Sequence, residues 1–161
     1  MKYLLLALFS FLAIIAQMIG GNNFFLFDFL DLSLILIAYW AVYRSRMQAL
    51  FVGSISGILL DAVFGLPMGF NGFGKTLAAF VIGQAARRFN ISEAWMRFAL
   101  IASASILNSL CMYALFVLMQ RSYNSIFLGA SLIQALVTGS VGAAVFAALD
   151  SYHEAHARRA G

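Results

Sequence analysis

Apolar residues fall along this chain in six long runs, at 3–20, 24–43, 47–66, 69–86, 95–119 and 126–149, each parted from the next by a few polar or charged positions. A bilayer hydrocarbon core of about 30 Å takes about 20 apolar residues in helix, and every run is near that length. The pattern therefore predicts six membrane-spanning helices. The longest stretch outside them, 150–161, has 12 residues, too few to bury a core of its own. The expected fold is an all-α integral membrane protein, one six-helix bundle over residues 1–161.

The first run has a second outline, that of a secretory signal peptide, since Lys2 precedes an apolar stretch that lasts to Ala16. Residues 16–20 offer no good small-x-small cleavage site, so we expect the run to stay as the first helix.

Composition agrees with the runs and sharpens them. Hydrophobic residues make up 63% of the 161 and charged residues 10%, whereas a soluble domain carries roughly 45–50% and about 25%. The outer surface must then be apolar too, which excludes a soluble enzyme, a disordered tail and a free nucleic-acid-binding domain. The net charge of +4 is a matter of topology. Lys2, Arg44, Arg46, Arg87, Arg88, Arg97, Arg158 and Arg159 all fall at one set of run ends, and Arg121 alone marks the other. Lys and Arg beside membrane helices stay in the cytoplasm, so both termini are expected there. The single cysteine, Cys111, lies within an apolar run and reads as a packing residue.

Charge within the runs needs a physical reason, because a charged side chain at the middle of a membrane helix costs about 2.5–3.5 kcal/mol on insertion scales. Asp61 and Lys75 stand seven residues to either side of Met68 in the hairpin made by the third and fourth runs. Equal separation implies equal depth, and the expectation is an Asp61–Lys75 ion pair. Gly65, Pro67, Gly69 and Asn71 form the expected hairpin tip. Asp28 and Asp31, spaced i, i+3, read as a solvated outer rim on one helix face. His153 and His156 belong to a solvated tail. No His, Cys, Asp and Glu fall together at metal-ligand spacing, so neither a metal nor a cofactor is expected.

Residues 69–76 match the phosphate-loop spacing G-x-x-x-x-G-K-[ST]. That motif works between a strand and a helix of a soluble fold. Here no strand is expected before Gly69, and aromatic residues fill the variable positions. Nucleotide binding is not expected.

Helices in lipid associate through close contact between small residues. Gly53 and Gly57 mark one such face on the third run, and Ala135, Gly139, Ala143 and Ala147 make an i, i+4 row on the sixth. Ser105, Asn108, Gln134 and Thr138 are placed to hydrogen-bond across the last hairpin.

The order of these features resembles the MreD family of rod shape-determining proteins. The resemblance is carried by residues 28–88: Asp31-Leu32 and Tyr39, the basic turn at Arg44, Gly53, the run Gly57-Ile58-Leu59-Leu60-Asp61, the segment from Gly65 to Asn71, and Arg87-Arg88. It implies a non-catalytic multi-pass scaffold of the bacterial inner membrane, required for cell shape and lateral peptidoglycan synthesis. Implied partners are membrane lipid, the bitopic protein MreC, the MreB filament, a SEDS glycan polymerase and a class B transpeptidase. A rival from another class is the substrate-binding S component of an energy-coupling-factor vitamin transporter. The outer carboxylates and Lys75 could suit a small zwitterionic ligand there, but the first run lacks the A-x-x-x-A spacing such a subunit uses.

Overall fold

The computed structural model describes residues 29–89, 91, 93–119 and 127–160, together with Leu12 and Ile15, and side chains of the last helix from 129 to 151. Five helices fall within those residues: α1 Leu32–Tyr43, α2 Arg46–Phe64, α3 Phe70–Arg88, α4 Ala94–Leu118 and α5 Phe127–Ala160. Apart from Leu12 and Ile15, the first expected span lies outside the described residues, as do Asp28, Arg121 and the start of the second span.

Each boundary has a local cause. Ser45 caps α2 by accepting from the Gln48 amide, satisfying a donor that the first turn leaves open. At the other end α2 stops at Gly65, which takes the left-handed conformation (φ +64°), and Pro67 cannot resume the ladder. Gly69, with φ +98°, turns the chain into α3.

Among the described residues, three helices are long and apolar enough to cross a membrane, namely α2, α4 and the 129–151 part of α5. The 34-residue α5 is about 51 Å long at 1.5 Å per residue, so it runs well past the expected span end and carries helix into the charged tail. α3 has 19 residues but dilutes its apolar character with Asn71, Lys75, Thr76 and Gln84. α1 is shorter than expected. Residues 29–31 are not helical, and the helix begins at Leu32 with Asp31 as its cap.

α2 and α3 form one antiparallel hairpin, α4 and α5 another, and α3 joins them by packing on α4. α1 touches all four of the others. Its Leu34, Ile37 and Ala38 are fully buried, so this short helix is the axis of the bundle. The outward faces are apolar in return: Met47, Phe51 and Ile55 on α2 and Leu132, Ile133 and Leu136 on α5 are exposed, as a lipid-facing surface requires.

Small residues set the closest approach. A Cβ added at Gly57 would stand 2.4 Å from the Gly72 Cα, and one at Gly53 2.9 Å from the Lys75 carbonyl oxygen. The α2 and α3 backbones are thus nearly in contact. On α5, Ala135 is buried and Gly139 lies against Phe98 and Ala102. The i, i+4 row does not continue as expected: Ala143 is half-buried and Ala147 exposed, while Gly142 and Phe146 face inward. A row taken every four residues drifts about 40° per step around a helix of 3.6 residues per turn, so three steps carry it off the contact face.

Candidate functional site

The polar residues of the interior form two connected knots, one at the tip of the α2–α3 hairpin and one at the entry to α1. Asp61 lies in the last turn of α2 and is fully buried. Its carboxylate accepts from the backbone amides of Gly69 (2.9 Å) and Asn71 (3.0 Å), with Gly72 at 3.5 Å, and from the Asn71 Nδ2 amide at 2.9 Å. Gly69, the α3 cap position, has no side chain to offer. The preceding helix supplies the cap instead, and a carboxylate at a helix N-terminus meets both the open N–H groups and the positive end of the dipole.

Lys75, 1% exposed, pairs with Asp31 rather than Asp61. This corrects the expected Asp61–Lys75 pair. Equal counts to the turn say nothing about facing direction, and the five residues of non-helical chain at 65–69 let the Asp61 carboxylate fold onto the start of α3. Asp31 is likewise no solvated rim. It is 4% exposed, accepts from Ser33 Oγ at 2.7 Å and the Leu34 amide at 3.0 Å, and donates its own amide to Thr138 Oγ1 at 3.1 Å. Thr138 in turn donates to the Phe29 carbonyl. One knot therefore ties α1, α3 and α5 together. The i, i+3 helix face assumed for Asp28 and Asp31 does not apply to Asp31, whose backbone is outside the helix.

The same geometry accounts for the phosphate-loop spacing. The amides of Gly69, Asn71 and Gly72 are taken by Asp61, Lys75 by Asp31, and the Thr76 hydroxyl by the Gly72 carbonyl at 2.6 Å. Each of these groups already has a partner within the bundle.

A second ion pair was not anticipated. Arg97 is buried on α4, binds Asp150 of α5 at 2.5 Å, and donates from Nε to the Ile91 carbonyl. The Tyr43 hydroxyl donates to the same carboxylate at 2.7 Å. Reflecting Arg97 through the centre of the last hairpin, between Ser122 and Tyr123, lands on Ala148, within a turn of Asp150, so the sequence did hold a signal. Thr138 goes to α1 instead of across its own hairpin. Asn108 faces Gly74, where an added Cβ would stand 2.5 Å from its Oδ1. No group of three or more His, Cys, Asp or Glu gathers among the described residues.

An all-helical bundle with lipid-ready outer faces and buried polar ties between helices defines a membrane protein. The chain belongs to the MreD family: the family model for rod shape-determining protein MreD matches residues 1–147. Its role is in the determination of rod shape. No curated protein and no solved structure matches the chain.

Proposed function

We propose that the chain is a non-catalytic scaffold of the bacterial inner membrane, both termini in the cytoplasm, that holds the elongation complex together with MreC, MreB, a SEDS glycan polymerase and a class B transpeptidase. The family match over residues 1–147 carries this reading. The interior supports it, because Asp31, Asp61 and Lys75 spend their hydrogen-bonding capacity on ties between helices. A bundle braced in this way offers rigid helix faces to other membrane helices, which recognise one another by close packing.

Depletion of the protein in its native bacterium tests the reading, with cell shape scored by microscopy and partners co-purified in mild detergent. Rounding of rod cells and recovery of a bitopic partner are expected. Normal shape together with a new vitamin requirement would replace the scaffold by a transporter subunit.

A further inference from the structure

We infer that the basic end of the α1–α3 unit binds the phosphate of one anionic phospholipid. Arg44 closes α1, Arg46 opens α2, and Arg87 and Arg88 occupy the last turn of α3. The antiparallel α2–α3 pairing brings three of these together. The Arg46 stem crosses α3 at Gly83, where an added Cβ would meet its Cγ at 3.1 Å, and its guanidinium bonds Gln84. Gln84 precedes Arg87 and Arg88 by three and four residues, so all lie on one helix face.

The charge at this end is not balanced among the described residues. Asp150 is held by Arg97 and Tyr43, and Glu93 accepts from the Trp95 indole. Neither forms a salt bridge with Arg44, Arg46, Arg87 or Arg88. The last turn of a helix suits a cation, which accounts for part of the charge on Arg87 and Arg88. Arg46 has no such excuse: it is the first residue of α2, where the dipole repels a cation, and the first turn contains no acidic residue.

Two buried donors point the same way. Arg46 Nε and Trp40 Nε1 have no hydrogen-bond partner among the described residues. Arg44 lies over the Trp40 ring at 5.8 Å, so these two side chains stand together at the end of α1, with Arg44 two residues before Arg46. A buried donor without an acceptor costs about 1–3 kcal/mol, and an anion at a helix N-terminus flanked by arginines would satisfy donor, dipole and charge at once. Arginine and tryptophan at the end of membrane helices stand at headgroup level, and the phosphate available at that level is a lipid's.

The test uses the full chain in neutral detergent, read by native mass spectrometry with equal amounts of phosphatidylglycerol and phosphatidylcholine of matched acyl chains. Retention of phosphatidylglycerol in preference is expected, with the preference falling about fivefold in Arg46→Gln, the equivalent of one arginine near an anionic surface. Arg46→Lys, which keeps the charge and loses Nε, should fall between. Trp40 emission in a Trp95→Phe background should shift on adding phosphatidylglycerol vesicles and not on adding phosphatidylcholine vesicles. Equal retention of the two lipids, or an unchanged preference in a folded Arg46→Gln, would overturn the inference. Displacement of the lipid by millimolar glycerol phosphate would reassign the site to soluble phosphates.

Discussion

Removing the Asp61 carboxylate tests whether the hairpin tip is capped or ion-paired. In Asp61→Asn the side chain keeps its volume but loses its charge and one of its two acceptor oxygens. The wild-type carboxylate takes close hydrogen bonds from the Gly69 amide, the Asn71 amide and the Asn71 side chain. A bond to a charged group contributes about 1.5–3 kcal/mol, and a helix cap about 0.5–2. Asp61 itself is buried but its partners at positions 69 and 71 are part-buried, so a loss of about 1–2 kcal/mol for Asn and about 2–4 for Ala is expected. For a chain of this size each kcal/mol lowers the melting temperature by roughly 2–4 °C. Thermal unfolding in detergent, followed by thiol labelling of the lone Cys111, reads this directly. Double-mutant cycles then separate the two geometries. Asp61→Asn and Lys75→Met should add to within about 0.5 kcal/mol, whereas Asp31→Asn and Lys75→Met should couple by more than 1 kcal/mol, because either single change strands a buried charge. A large coupling between positions 61 and 75, with none between 31 and 75, would refute the assignment.

Two further outcomes follow from the packing. Gly57→Ala should cost about 1–3 kcal/mol, since the new Cβ would stand 2.4 Å from backbone in α3, and a bulkier residue should abolish the folded bundle; a melting temperature equal to wild type would contradict the close α2–α3 approach. Arg97→Gln should destabilise by about 1–3 kcal/mol, reduced from the cost of a fully buried pair because Asp150 is a third exposed, and Asp150→Asn should add little on top of it in the same unfolding assay.

Much of the architecture was legible from the sequence because it depends on local quantities. Run length decides whether a segment can cross lipid, and α2, α4 and α5 fall within a few residues of the expected starts. Gly65, Pro67 and Gly69 announced a turn through their backbone preferences alone, and the Gly53 and Gly57 pair announced a close helix approach.

Partnership was decided only in three dimensions. Lys75 could be placed at a depth, but depth leaves the whole circumference of the helix open, and the packing of α1 at the centre brings Asp31 to it from 44 residues away. Asp61 went to the amides of α3 because the non-helical turn and a glycine cap left those donors open beside it. Apolar length is a sum over neighbouring residues and can be read one segment at a time; the partner of a buried charge depends on which faces of several helices meet, and no single segment contains that information.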